Sequence, residues 1–340
     1  MIGPFKRRRD LALTTLGLGL ALIAWGLISI WMDEQRAQTP NVSGPVFENW
    51  SSVSDRADRI EIMSRASMFA LERQDAGWVM PSRANYQVEP TQIAALDDLI
   101  GQMQLERAMT RDPRKLDRLG LGDPSDGGTG LRVRVLDSAN DELVAFVLGD
   151  AQRDGSGVYL RRADEARAYA VTGEHRDLTD LSRWLGLDFW SLDASAIARA
   201  EIRSEDGQDW IVDRASLAQR SFSLVAPQDW RLITSGAANG VASAGAQLRF
   251  RDVRPRESLS GAIVAQHVAT TFSGLVYQFD FVAENEERWV VITARALNSD
   301  ADARAEHLNG ITRGWAYLVS DDAYERLTRA LNQVAEPTTQ

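Results

Sequence analysis

The stretch LRVRVLDSANDELVAFVLG, residues 131–149, contains two apolar runs separated by a short polar segment. In residues 131–135, leucine and valine alternate with arginine, which is the two-residue period of a strand with one buried face. Ser-Ala-Asn-Asp at 138–141 is typical of a tight turn, and the apolar run at 143–148 favours a second strand. The stretch therefore predicts an antiparallel β-hairpin.

Four segments of the chain recur in the same order, 140 to 148 residues further on. The matched pairs are RIEIMS (59–64) with RAEIRS (199–204), QLERAMTRDP (104–113) with QLRFRDVRP (247–255), the hairpin at 131–149 with LVYQFDFVAENEERWVVIT (275–293), and AYAV (168–171) with AYLV (316–319). The common order and the slowly drifting spacing indicate an internal duplication. We therefore predict two tandem repeats with antiparallel sheets, residues 46–195 and residues 196–335.

Helical patterns between the strands predict the α+β fold class. In EPTQIAALDDLIGQMQ (89–104), apolar residues recur at helical spacing behind Pro90. The segment RDPRKLDRLGLGDP (111–124) predicts a short helix that ends at Gly120. The segment LTDLSRWLGLDFWSLD (178–193) predicts the helix that closes the first repeat. Each repeat is expected to pack its helices on one face of its sheet.

A tryptophan stands at the start of a return strand in each predicted repeat. In ALERQDAGWVMPS (70–82), a turn at Asp-Ala-Gly precedes Trp78, and in DGQDWIVDR (206–214) a similar turn precedes Trp210. A tryptophan in this position buries on the order of 150–250 Å². We predict the same core role for both indoles, with two symmetric aromatic binding surfaces as the alternative.

The composition is that of a globular protein with an acidic body. Hydrophobic residues make up 44% of the 340 residues and charged residues 25%, and the absence of cysteine excludes disulfides and thiolate sites. The net charge is -10, but residues 1–32 carry four basic residues and one acid, or +3, which leaves -13 for the remainder. Because phosphate binding requires a positive face, this charge argues against a nucleic acid partner.

The segment Leu11–Met32 contains 22 residues and no charge. A helix of that length spans about 33 Å, enough for a hydrocarbon core of about 30 Å. A cleaved signal peptide, the alternative, has a shorter apolar core and small residues at its cleavage site, whereas Trp31 and Met32 are bulky. The basic residues before the segment predict a cytoplasmic N-terminus at 1–10. We therefore predict a single transmembrane helix, a linker at 33–45, and a body that lies on the far side of the membrane.

No residue is predicted to be catalytic, cofactor-binding or metal-ligating. His175, His267 and His307 lack local partners at ligand spacing, and His267 lies in an apolar stretch typical of a core histidine. The glycine-rich DGGTG at 126–130 lacks the lysine and the following helix of a phosphate loop. The locally basic RDVRPRE (251–257) favours an exposed connector, with contact to an acidic partner as the alternative.

Five stretches together resemble a bacterial family of membrane-anchored proteins known as a domain of unknown function. They are GPVFENWSSVSDRADRIEI (44–62), LERQDAGWVM (71–80), NYQVEPTQIAALDDLIGQMQLERAMTRDPRKLDRLGL (85–121), LVAFVLGD (143–150) and GVYLRR (157–162). The family pattern has an R-I-x-I strand, a G-W hairpin, a helix entered after Tyr-Pro, and later L-G and Y-x-R pairs. Gln87 stands where the family often has proline after Tyr86. The resemblance covers residues 44–205.

The resemblance implies a context and no site. Family members look like auxiliary components of ABC-2-type exporters, beside a permease, an ATPase and a gliding-motility-type envelope protein. This context implies a non-enzymatic accessory subunit that binds those proteins, for which exposed sheet edges are suited. The alternative is a periplasmic binding module for an envelope polymer or lipid-linked substrate, with a groove lined by Trp184, Trp190 or Trp230. A hydrolase without a recognisable motif would require two converging acids in a cleft.

Overall fold

The computed structural model describes Trp25 and residues 42–174, 177–205 and 207–338. These residues belong to two compact units. The first unit takes its described residues from 1–50, 99–132 and 145–175, and the second from 51–98, 133–144 and 176–340. The repeat boundaries at 46–195 and 196–335 stay a prediction.

The first half of the chain forms a nine-stranded sheet. Its strands are β1 (Arg59–Met63), β2 (Met68–Gln74), β3 (Gly77–Met80), β4 (Tyr86–Gln87), β5 (Leu105–Ala108), β6 (Leu131–Leu136), β7 (Glu142–Ala151), β8 (Gly157–Arg162) and β9 (Ala168–Thr172). Their spatial order is β4-β3-β2-β1-β6-β7-β8-β9-β5. Neighbours such as β1 and β2 or β8 and β9 are antiparallel, as the alternating pattern predicts.

The second half forms an eight-stranded sheet and a small two-stranded one. The strands are β10 (Ile197–Arg203), β11 (Trp210–Asp213), β12 (Ser223–Ala226), β13 (Trp230–Leu232), β14 (Asp252–Pro255), β15 (Ile263–Thr271), β16 (Leu275–Glu284), β17 (Glu287–Ala296), β18 (Trp315–Val319) and β19 (Ala335–Pro337). The large sheet runs β12-β11-β10-β15-β16-β17-β18-β14, and β13 pairs with β19. All the pairings in these two sheets are antiparallel.

With β4 left aside, the two large sheets follow the same strand order. If the strands of each large sheet are numbered along the chain, both sheets have the order third, second, first, fifth, sixth, seventh, eighth, fourth. Thus β1 corresponds to β10, β5 to β14 and β9 to β18, in agreement with three of the four sequence matches. The remaining match is wrong by one strand, because β6–β7 corresponds to β15–β16 and not to β16–β17. Alternation and a polar turn are common to every hairpin, so they do not specify which hairpins correspond.

Six α-helices occur within the described residues. They are α1 (Trp50–Arg56), α2 (Pro90–Gln102), α3 (Leu181–Trp184), α4 (Asn239–Ala242), α5 (Ser299–Thr312) and α6 (Asp321–Leu327). Helix α2 confirms the helix predicted at 89–104. Helix α5, the longest at 14 residues, lies between β17 and β18 and has no counterpart between β8 and β9.

The predicted fold class, α+β with an N-terminal transmembrane helix, is wrong. The described chain is mostly antiparallel sheet, and no helix in it is long and apolar enough to cross a membrane. The predicted helix Leu11–Met32 lies outside the described residues, apart from Trp25. The segment 111–124 forms the 3-10 helix Pro113–Leu119, and 178–193 contains only the four-residue α3. Both segments carry Gly and Asp every few residues, and the first also carries Pro; these residues favour caps and turns over a long α-helix.

The two tryptophans of the predicted equivalent hairpins have different roles. Trp210, which begins β11, is fully buried, and its Nε1 donates to the carbonyl of Arg329 at 3.1 Å. Trp78 lies in β3 and is partly exposed. The guanidinium of Arg73 lies over its ring, 5.1 Å from the ring centroid. Strands β3 and β11 are the third and the second of their halves, so the two positions do not correspond. The prediction of one shared role is therefore wrong.

Within the second unit, Arg83 holds Asp252 through two hydrogen bonds. The Nε–Oδ1 distance is 2.5 Å and the Nη2–Oδ2 distance 2.7 Å, across 169 residues of sequence. We expect Arg83→Ala to lower the free energy of unfolding by about 2 kcal/mol, because a half-buried carboxylate loses its charged partner. Urea denaturation of the full chain measures the change.

A matched control for Arg83 is Arg114. Its side chain is 88% exposed and pairs with Asp112 at 2.9 Å. We expect Arg114→Ala to change the free energy of unfolding by less than about 0.5 kcal/mol. Equal effects of the two substitutions would contradict a structural role for the Arg83–Asp252 pair.

Candidate binding cleft

A cleft of about 960 Å³ opens on the second unit. Three segments line it: residues 180–191, residues 247–251 and residues 320–326. Its charged lining residues are Asp180, Asp188, Arg249, Arg251 and Arg326. The three segments are far apart in sequence, so the cleft exists only in the folded chain.

Residues 247–251, Gln-Leu-Arg-Phe-Arg, form the basic wall of the cleft and lead directly into β14. The backbone at Gln247 is extended, with φ -134° and ψ 102°. Gln247, Arg249 and Arg251 are exposed, whereas the two apolar residues between them are buried. Because successive side chains of an extended chain point to opposite faces, these three polar side chains share one face.

Aromatic packing fixes the basic wall in place. The ring of Phe250 lies 5.3 Å from that of Phe189 and 4.9 Å from that of Tyr317, and the latter two rings are 5.2 Å apart. Each such ring pair contributes about 0.5–1.5 kcal/mol beyond the area that it buries. The exposed arginines therefore project from a rigid support.

The second wall, residues 180–191, begins at a helix cap. Asp180 is the N-cap of α3, and its Oδ1 accepts from the backbone N–H of Ser182 at 3.0 Å and from the hydroxyl of the same residue at 2.6 Å. Arg183 lies 3.5 Å from the other oxygen of this carboxylate. Asp180 is therefore already engaged, whereas Asp188 is exposed.

Helix α6 supplies the third wall. Ser320 is its N-cap, and the hydroxyl oxygen of Ser320 accepts from the N–H of Ala323 at 3.2 Å. Arg326 pairs with Asp322 at 3.4 Å, but the two side chains are 53% and 78% exposed. An ion pair this exposed holds its partners weakly, so Arg326 remains able to bind a ligand at the cleft.

The basic wall has no internal counterion. In the part of the chain that the structure describes, Arg249 and Arg251 form no ion pair, and Arg249 forms no hydrogen bond. The chain as a whole carries a net charge of -10. Two unpaired guanidinium groups in a concave surface attract carboxylates, and the planar guanidinium binds them through two parallel hydrogen bonds.

The three tryptophans proposed to line one groove do not share one: Trp190 borders the cleft, but Trp184 is not among its lining residues. Trp184 and Trp190 are 2% and 3% exposed, and their Nε1 atoms donate to the carbonyls of Leu178 and Gly245, both near 2.9 Å. Trp230 is partly exposed and borders a separate concavity of about 620 Å³ within residues 219–235. These indoles therefore stabilise the fold and present no shared aromatic surface.

The basic segment 251–257 divides between two roles. Arg251 borders the cleft, whereas Arg254 pairs with Glu284 and stacks on the ring of Trp289 at 4.2 Å. Arg256 is exposed. The alternation of polar and apolar residues in QLRFR (247–251) is the sequence pattern that indicates the cleft wall. The sequence prediction instead named residues 251–257, which begin at the last residue of that wall.

His267 is a core residue, as its apolar surroundings predict. It is fully buried, and its Nδ1 donates to the carbonyl of Leu327 at 2.9 Å. Its Nε2 has no partner among the described residues. Burial lowers the pKa of His267 from 6.5 to about 4, against a smaller opposite effect of the Leu327 hydrogen bond. His307 is exposed on α5, and His175 lies outside the described residues.

The glycine-rich segment 126–130 is a turn, as predicted. It follows the 3-10 helix Pro124–Asp126, Gly127 has a φ of 79°, and strand β6 comes next. A phosphate loop requires a helix at that point. Among the described residues there is also no group of three potential metal ligands.

Comparison with protein families gives one match. The model of the family described as "Domain of unknown function (DUF4340)" matches residues 78–261, more than half of the chain. Neither the curated proteins nor the solved structures include a match. The matched range contains the basic wall, most of the nine-stranded sheet, and four strands of the eight-stranded sheet, β10, β11, β12 and β14.

Proposed function

The chain belongs to the DUF4340 family, and we propose that it is a non-enzymatic accessory subunit of an ABC-2-type export system that acts by binding other proteins. Its partners would be the permease, the ATPase and a gliding-motility-type envelope protein. It would be attached to the bacterial inner membrane, with its N-terminus in the cytoplasm and the bulk of the chain in the periplasm.

The basic wall of the cleft is the observation that supports binding most directly. Arg249 and Arg251 stand exposed and unpaired, in the described part of the chain, on a protein of net charge -10. A positively charged patch on an acidic protein favours the binding of an acidic partner surface and raises the association rate. The cleft is therefore the surface through which we propose that a partner binds.

The N-terminal part of the sequence supports the proposed location. Residues 11–32 carry no charge, and four basic residues lie in the ten residues before them. Basic residues on one side of an apolar segment favour retention of that side in the cytoplasm. The body that follows would then be exported.

Affinity purification of the full chain from membranes in mild detergent tests the proposal. We expect the permease and the ATPase of an ABC-2-type exporter among the co-purifying proteins, and not with an unrelated membrane protein that carries the same tag. Recovery of the chain from the soluble fraction, or from membranes without either component in several detergents, would refute the proposal.

A further inference from the structure

We propose that the cleft binds an extended acidic segment of a partner polypeptide, in which carboxylates at alternate residues pair with Arg249 and Arg251. The inference rests on the proposed function, because it specifies the partner chemistry of the same site. The supporting observations are the spacing of the arginines, the unpaired main chain at Arg249, and the charges on the facing walls.

The spacing of the arginines matches that of an extended partner. Arg249 and Arg251 are exposed and are separated by one buried residue, Phe250, which is the alternation of an extended chain. Alternate residues of such a chain lie about 6.6 Å apart. Carboxylates at positions i and i+2 of an extended partner have the same separation, so both can pair without distortion of either chain. Two adjacent acids would point to opposite faces and present only one carboxylate to this wall.

The main chain around Arg249 favours a polypeptide over a polysaccharide. The N–H of Leu192 donates to the carbonyl of Ala246 at 2.8 Å, and the N–H of Arg251 donates to the carbonyl of Leu318 at 2.9 Å. Between these two points, the N–H and carbonyl of Arg249 have no hydrogen bond within the described residues. An extended peptide can satisfy both groups with its own backbone, as in strand addition.

The remaining charges of the cleft favour isolated acids over an acidic run. Asp188 is exposed on the wall formed by residues 180–191. A contiguous run of acids would place unpaired carboxylates beside this residue, which costs energy through like-charge repulsion. A segment in which acids alternate with neutral residues avoids that contact and still satisfies the two arginines.

Binding of three labelled peptides to the full chain in mild detergent tests the inference, with fluorescence anisotropy as the readout. The peptides are TETETET, its isomer TEETTET, in which no two glutamates are two residues apart, and the neutral TQTQTQT. We expect TETETET to bind about tenfold more tightly than TEETTET and TQTQTQT not to bind. The double variant R249Q/R251Q should weaken TETETET binding about tenfold, and higher salt should weaken it further. The matched variant R256Q/R313Q removes two exposed arginines outside the cleft and should bind as the parent does.

Three outcomes would overturn the inference. Equal affinity for the two acidic isomers would remove the spacing argument, and binding unchanged in R249Q/R251Q would place the peptide elsewhere. Arginine-dependent binding of polygalacturonate without peptide binding would assign the cleft to an anionic polymer. If neither acidic peptide binds while export components still co-purify with the chain, the inference fails and the proposed function stands. If those components are also absent, both fail.

Discussion

Replacing Trp210 with alanine is expected to lower the free energy of unfolding by about 3–5 kcal/mol, the range for removal of a large buried aromatic side chain. The indole is fully buried at the start of β11, and its Nε1 donates to the carbonyl of Arg329. The variant loses the packing of the ring and leaves that carbonyl without its donor. Urea denaturation of the full chain, followed by tryptophan fluorescence and circular dichroism, measures the loss.

The matched control for Trp210 is Trp78, the tryptophan of the hairpin that looks equivalent in sequence. Trp78 is partly exposed and its main contact of note is the guanidinium of Arg73. We expect Trp78→Ala to cost about 1 kcal/mol, mainly through that cation–π contact and a partly buried ring face. Similar losses for the two variants would contradict the different roles assigned to the two residues.

Stability is expected to fall by about 3 kcal/mol as the pH drops from 6.5 to 4, because of His267 alone. The folded protein keeps this ring neutral down to a pKa of about 4, whereas the unfolded chain protonates it near 6.5. Between these values the unfolded state binds one more proton, so the stabilisation is complete above pH 6.5 and is lost as the pH falls to about 4. The cause is structural: Nδ1 already donates to Leu327, and a proton on the buried Nε2 would find no acceptor.

The variants His267→Phe and His267→Leu isolate this effect. Both remove the titrating ring from a site that faces Phe279, so each is expected to flatten the stability profile between pH 6.5 and 4 relative to the parent. His307→Gln, on the exposed side of α5, serves as the control and should keep the slope of the parent. Parallel profiles for the parent and both His267 variants would show that this histidine is not held neutral in the core.

The sequence predicts the strands of this fold better than its helices. Alternation at 131–135 and in the repeated segments locates strands, because a sheet with one polar face requires a two-residue period. The helices outside α2 and α5 are only four to seven residues long. Some of them begin at side-chain caps, such as Asp180 at α3, and caps occur in both turns and helices. The identical strand order of the two sheets could not be predicted, because pairing between distant strands leaves no local pattern.

The cleft, too, could be predicted only in part from the sequence. The alternation of QLRFR is visible in the sequence, but residues 180–191 and 320–326 meet it only through the fold. The charge of segment 251–257 suggested a contact surface in the sequence. In the structure, however, Arg254 pairs with Glu284 and stacks on Trp289, so it is not available to a ligand. Charge counts do not show which arginines have internal partners, and that distinction decides which of them can bind a ligand.

The position of the fourth strand in each half governs how the chain can assemble. Strand β5 begins at Leu105 but pairs with β9, which begins only at Ala168, and β14, from Asp252, pairs with β18, from Trp315. While the chain emerges from a ribosome or an export channel, each of these strands must stay unpaired until its late partner arrives. Neither half can therefore be completed hairpin by hairpin, and a fragment that stops short of β9 or β18 leaves a strand exposed to aggregation.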